Sequence, residues 1–161
     1  MGPPPYGYKK DPDNPKRWIV DEEAAQVVRR VFRMTLDGYG TEQIATIFSE
    51  EKILTPIAYW REKGVNRPGK SKLRGPYMWN SSTITHILSL QEHCGDILNF
   101  KTYSKSYKNK KRLANDRENW VIFQDVHEPI IERAVFEQVQ QKRGKIRKRR
   151  THEGERNMFS G

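Results

Sequence analysis

The chain has 161 residues, one cysteine and a formal net charge of +10. That length suits one domain with an ordinary core, and no stretch of eighteen apolar residues or signal-peptide pattern is present, so the chain is expected neither to cross a membrane nor to be exported by that route. The lone Cys94 excludes an internal disulfide and a cysteine-rich zinc site, and fits a reducing cytoplasm.

The positive charge is clustered. Residues 61–75 carry six basic groups against Glu62, residues 104–117 carry six against Asp116, and residues 142–150 carry seven and no acid. The remainder is net acidic. Basic connectors on an acidic body are the footprint of a polyanion binder, because such clusters repel themselves until a partner neutralises them. The competing reading is a set of solvated, lysine-rich loops.

Pro3-Pro4-Pro5-Tyr6-Gly7-Tyr8 cannot be helical, since proline fixes φ and removes donors. Residues 1–20 read as an extended leading segment with a turn at Asp11–Pro15 and one short strand over Lys16–Val20. The chain reads as beginning in mid-protein. Asp21 is placed to cap a helix with Glu22 and Glu23 in its first turn, and Ala24, Val27, Val28, Val31, Phe32 and Leu36 form its buried stripe. Gly38 is the expected stop. The opposite face, with Arg29, Arg30 and Arg33, is either solvated or turned toward a polyanion.

Thr41 is expected to cap a second helix, with Ile44, Ala45, Ile47 and Phe48 inward, ending near Lys52. The polar stretch 57–78 is too long for an ordinary connector and is either functional or mobile. It leads into WNSSTITHILSL (79–90), where Asn80 caps a helix and Trp79 and Ile84 are spaced for a hydrophobic staple. Ile84, Ile87 and Leu88 fall on one side. Ser82, His86, Ser89 and, if the helix continues, His93 fall on the other. That outer face is short, polar and free of acids.

After Gly95 the period changes to two. Asp96–Tyr103 alternates as a strand, Asn119–Gln124 is a second strand, and the basic loop 104–117 joins them, which describes a wing. Val126–Ile131 turns into a last helix near Glu132–Lys142, with Val135, Phe136 and Val139 inward and Gly144 at its end. Residues 145–157 read as a charged linker.

The pattern holds no recognisable catalytic site. The four histidines, His86, His93, His127 and His152, lack metal-ligand spacing, and no phosphate-binding glycine loop or nucleophile elbow occurs. His93 and Cys94 are adjacent, but chain neighbours on a helix do not face each other, so Cys94 reads as a small packed residue. Asp96 and Glu128 are possible metal ligands that nothing in the sequence brings together. Tyr59, Trp60, Tyr103, Tyr107 and Trp120 interleave with basic residues, as in single-strand binders, although Trp79 and Trp120 are better explained as core. A helix-turn-helix scheme fits helices 41–52 and 80–90, the second reading base edges with Ser82, Thr85, His86 and Ser89. Phosphate contacts are then expected from Arg61, Arg67, Lys70, Lys72 and Arg74, from Lys105, Lys108, Lys110, Lys111 and Arg112 in the wing, and from Arg147 and Lys148.

Four motifs in order, PPYGY within 3–8, DEEAAQVVRRVFRMTLDGYGTEQIATIFSEEKILTP (21–56), WNSSTITHIL (79–88) and HEPIIERAVFEQVQQK (127–142), resemble the recombinase domain of the large serine recombinases. The resemblance covers nearly the whole chain. The family usually has a tyrosine where this chain has His93, and the 57–78 stretch is longer and more basic than in many members. The resemblance implies a DNA-binding fragment, spanning 21–144, whose strand-cleaving serine belongs to a catalytic domain upstream. It implies that 145–161 is a basic linker running toward a zinc ribbon, with no cofactor in this segment.

The expected fold class is α+β: mostly helical, a helix-turn-helix-like module with a small β wing and a C-terminal helix. The expected function is recognition of one half of an attachment site in double-stranded DNA, by a fragment that is not itself the enzyme. The expected partners are DNA and the other domains of the same recombinase, with no membrane. The fragment is expected to be a monomer without DNA, and the parent a dimer on each site and a tetramer in synapsis. A helix-turn-helix regulator and a single-stranded nucleic-acid binder remain the alternatives.

Overall fold

The structure, a computed structural model, describes residues 3–65, 75–99, 101–108 and 111–145. Among these residues, five helices and three two-stranded antiparallel ladders give the α+β, mostly helical architecture that the periodicities predict.

The leading segment is folded into the body. Strands β1 (Tyr8–Lys10) and β2 (Trp18–Val20) pair antiparallel, with Tyr8 opposite Val20, so the one expected strand has a partner in the preceding residues. Tyr6, Tyr8 and Trp18 are buried in the main core. Tyr6 stands edge-on to Tyr59 and Trp60, and the Tyr8 hydroxyl donates to the Glu128 carbonyl at 2.7 Å.

Helix α1 (Glu22–Leu36) buries Ala24, Val28, Val31 and Phe32, with Val27 and Leu36 partly covered, as its apolar stripe dictates. Its N-cap residue is Asp21, but the carboxylate caps no backbone N–H; it accepts the Tyr59 hydroxyl at 2.6 Å instead. At the other end Gly38 adopts φ +104°, and Tyr39 N–H and Gly38 N–H return to Met34 and Thr35 carbonyls. These two bonds close the helix as expected of a left-handed glycine.

Helix α2 (Thr41–Glu50) starts one residue away from the predicted cap. Gly40 is the N-cap, its N–H held by Gln43 Oε1 at 2.9 Å, and Thr41 is the first helical residue. The Gln43 amide thereby makes one half of a capping box, and glycine, with no side chain to accept from the first-turn N–H groups, leaves the other half unmade.

The stretch 57–78 is not simply a connector. Helix α3 (Pro56–Glu62) opens it, with proline at the first position, Thr55 accepting from Ala58 N–H, and Ala58 and Tyr59 buried. The polar pattern hid this helix because only one side of a seven-residue element is covered. Thr55 N–H also donates to the Pro76 carbonyl at 2.9 Å, so the excursion ends where it began.

Helix α4 (Ser81–Ser89) packs chiefly on α2 and also on α1. It ends at Leu90, whose extended φ/ψ of −80°/101° resets the helical phase before a 3-10 turn over Gln91–Cys94. His93 therefore does not join His86 and Ser89 on the outer face. It is fully buried at 0% exposure, beside the Tyr8 and Phe32 rings. Gly95 follows at φ +95°, where a Cβ would lie 2.7 Å from the His127 carbonyl oxygen, so only glycine permits this approach.

The wing is real but divided. The single strand expected over 96–103 is two, β3 (Ile97–Asn99) and β4 (Thr102–Ser104). They pair with β6 (Val121–Phe123) and β5 (Arg112–Ala114) respectively, so the basic loop contains a strand of its own. Trp120 lies in this wing and not in the core: it is half-buried, donates to the Asn115 carbonyl at 3.1 Å and sits under the Arg117 guanidinium.

A final helix, α5, runs over 133–145, and Gly144 lies inside it rather than at its end. Val139 is buried, with Val135 and Phe136 packed against the core. From α5, Gln140 Nε2 donates to the Leu88 carbonyl at 2.6 Å and Lys142 Nζ to the Leu36 carbonyl at 3.0 Å. These bonds satisfy carbonyls that the ends of α4 and α1 leave without intrahelical partners. The expected linker over 145–157 lies, apart from Lys145, outside the described residues.

Candidate nucleic-acid interface

Helix α4 is held at both ends and on its inner face. Asn80 Oδ1 accepts from Thr83 N–H at 2.8 Å and from the Thr83 hydroxyl at 3.1 Å, as a cap asparagine should. Trp79 fixes the approach: its indole N–H donates to the Ile53 carbonyl at 2.8 Å, its backbone N–H to Ser49 Oγ at 3.1 Å, and its ring stands edge-on to Phe48. Ile84, Ile87 and Leu88 are buried below. Fully burying side chains of this size contributes roughly 1.5–3 kcal/mol each, which sets the register of the helix on α2.

With that face committed, Ser82, His86 and Ser89 are exposed and Thr85 is half-buried. The Ser89 hydroxyl donates to the His86 carbonyl at 2.8 Å and can still accept. No acid lies within α4. Ser82 and His86 form one wall of a groove of about 820 Å³, whose other walls include Pro3 and Pro5, Ile57 and Trp60 of α3, and Met78.

The basic groups are unevenly placed. Arg61 is exposed on α3, and Lys105, Lys108, Lys111 and Arg112 are exposed on the β4–β5 hairpin. Arg67, Lys70, Lys72, Arg74, Lys110, Arg147 and Lys148 lie outside the described residues. The basic face of α1 is largely absorbed by structure. Arg30 forms a two-pronged pair with Glu51 and lies over the Phe48 ring, and Arg29 bonds Glu22 and the Ile130 carbonyl. Only Arg33 on that face is exposed. Lys142, counted with the C-terminal basic run, is likewise occupied at the end of α1.

His93 and Asp96 have structural roles. His93 Nε2 lies 3.0 Å from the Tyr6 carbonyl, while the His93 carbonyl accepts Ile130 and Ile131 N–H. This residue thereby ties the first hairpin to the HEPII segment, and burial pushes its imidazole down to about 4. Burial likewise pushes the Cys94 thiol up to about 11, so it is no thiolate partner for a histidine. Asp96, 0% exposed, takes two 2.8 Å bonds from Arg133 and one from Gln91. The Arg133 hydrogen bonds hold its carboxyl below the usual carboxylate range. Asp96 thus joins the wing base to α5. Among the described residues no group of three or more His, Cys, Asp or Glu is placed to hold a metal, and no helix is long and apolar enough to cross a membrane.

Sequence reasoning placed the outer face of α4 and missed what surrounds it. The apolar groove wall comes from α3, and its only sequence signal was Thr55-Pro56, a cap followed by proline at the first helical position.

A family model described as Recombinase matches residues 22–145. Among solved structures, the chain is similar to one described as "Crystal Structure of a LSR-DNA Complex", with 20% identity and a TM-score of 0.40. It is also similar to one described as "Sequence Requirements of the Listeria innocua prophage attP site", with 20% identity and a TM-score of 0.39. The alignments cover 88% and 86% of this chain but 31% and 41% of the other chains, so it spans well under half their length.

Proposed function

This chain belongs to the Recombinase family, and we propose that it binds double-stranded DNA as the half-site-reading module of a serine site-specific recombinase. One observation carries the reading: α4 is fixed by its cap, its inner face and both neighbouring ends, and presents three exposed polar side chains with no acid among them. A rigid helix with such a face fits the major groove, whose base edges present donors and acceptors. The exposed Arg61, Lys105, Lys108, Lys111 and Arg112 supply the sequence-independent part of the grip on phosphates. In this reading strand cleavage and any zinc belong to other domains of a larger protein. The chain works in the cytoplasm, requires no cofactor, and is monomeric until it meets DNA. The parent protein pairs on each site and forms a tetramer when sites are brought together.

Selection of duplexes from a random pool tests this. The chain is expected to enrich a defined sequence, and H86A/S89A to lose roughly 1 kcal/mol or more of discrimination against random duplex. Equal weakening on selected and random DNA would remove α4 as the reader.

A further inference from the structure

Beside the polar face of α4 stands an apolar surface that the core does not use. Ile57 is 37% exposed and Met78 59% exposed, and both line the groove whose opposite wall carries Ser82 and His86. Trp60, half-buried, lines the same groove and meets the Tyr6 ring edge-on. Ile57 follows the proline that opens α3, and Met78 immediately precedes the Trp79 anchor of α4. Met78 is thus held by the Trp79 anchor, and Ile57 by the Thr55 cap of α3; the Thr55 N–H donates to the Pro76 carbonyl two residues before Met78.

Hydroxyl and imidazole groups recognise hydrogen-bonding atoms on base edges. An isoleucine and an unbranched thioether beside them recognise none. The group in the major groove that an apolar side chain can bury is the C5-methyl of thymine. The thioether of Met78, unbranched and flexible, suits a contact that must adjust to a small methyl. Charge favours DNA as the occupant: α4 brings no acid, and on α3 the exposed Arg61 offsets the neighbouring Glu62, which does not line the groove. Among the described residues the one acid lining the groove, Glu92, is buried and paired with Lys101.

We propose that Ile57 and Met78 form a thymine-reading surface, so that the sequence recognised by this chain contains thymines whose methyl groups pack into the groove between α3 and α4. The inference rests on α4 being the reading helix and adds the chemical group selected beside it.

The test uses the full chain and the duplex it enriches from a random pool. Each thymine is replaced singly by deoxyuridine, which removes the methyl and leaves base pairing and groove hydrogen bonding intact. One or two adjacent replacements are expected to weaken binding about fourfold each, the worth of one buried carbon. I57A and M78A are expected to bind the thymine and deoxyuridine duplexes equally, whereas H86A keeps the fourfold ratio. Both apolar side chains are exposed, and unchanged thermal unfolding of I57A and M78A shows that the fold is intact. Enrichment of a sequence in which no deoxyuridine replacement matters would overturn the thymine surface and leave α4 as the reader. A deoxyuridine effect that survives both I57A and M78A would equally overturn it. Failure to enrich any sequence would remove the reading by α4, and this inference with it.

Discussion

The helical body and the wing both carry apolar side chains yet are held in opposite ways. In the body, Phe32, Phe48, Ile84 and Leu88 are essentially fully buried, and the C-terminal ends of α1 and α4 both find partners on α5. In the wing every residue of β4 is exposed, β5 covers only Leu113 in part, and Val121, Ile122 and Phe123 of β6 are 39%, 37% and 51% exposed. Two-stranded ladders of three residues are marginal in water when no third layer covers them. What fixes the wing is its base, where Asp96 meets Arg133 and Lys101 meets Glu92. The body is shaped by its own packing; the wing is tethered at one end and carries its exposed basic groups at the other.

Breaking the tether should have the largest effect. Arg133→Ala leaves the buried Asp96 carboxylate with Gln91 and a long bond from Asp125 N–H, and is expected to cost on the order of 3 kcal/mol in urea unfolding. Leu113→Ala in the wing is expected to cost less than about 1 kcal/mol. Equal losses would erase the distinction between the two regions.

A pH titration sharpens it from the body side. His93 takes a proton near 6.5 when unfolded and resists until about 4 when folded, because burial disfavours the charged form. Between those values the unfolded state binds more protons. Stability from this site is therefore complete above pH 6.5 and declines as the pH falls toward 4, by a total of about 3 kcal/mol. Glu92 opposes the depression and His86 adds to it. His93→Gln, which keeps a donor for the Tyr6 carbonyl, should flatten thermal stability across that window. An unchanged slope would assign it elsewhere.

Much of the body was legible because apolar spacing reports burial directly: α1, α2 and the inner face of α4 follow from it. The boundaries that moved did so through side chains acting at a distance. Gly40, its N–H held by Gln43, took the cap of α2 from Thr41, Tyr59 drew Asp21 away from α1, and the break at Leu90 turned His93 inward. Helix α3 escaped notice because seven residues hold too few turns to show a period. The wing pairing was legible in outline, whereas the division of its first strand and the half-buried setting of Trp120 depend on partners elsewhere in the wing. Of the residues expected to read bases, Ser82, His86 and Ser89 are exposed and Thr85 is half-buried, but the apolar wall beside them required the fold.

The most direct test of the division between body and wing is a paired salt titration on selected and random duplexes. H86A/S82A, altering only the proposed reading face, should reduce the ratio of selected to random affinity and leave the salt slope unchanged. Neutralising Lys105, Lys108, Lys111 and Arg112 together should weaken both duplexes alike and flatten the slope by about 0.9 for each phosphate no longer neutralised. A wing variant that changes the ratio but not the slope, or a helix variant that does the reverse, would contradict the division of labour between them.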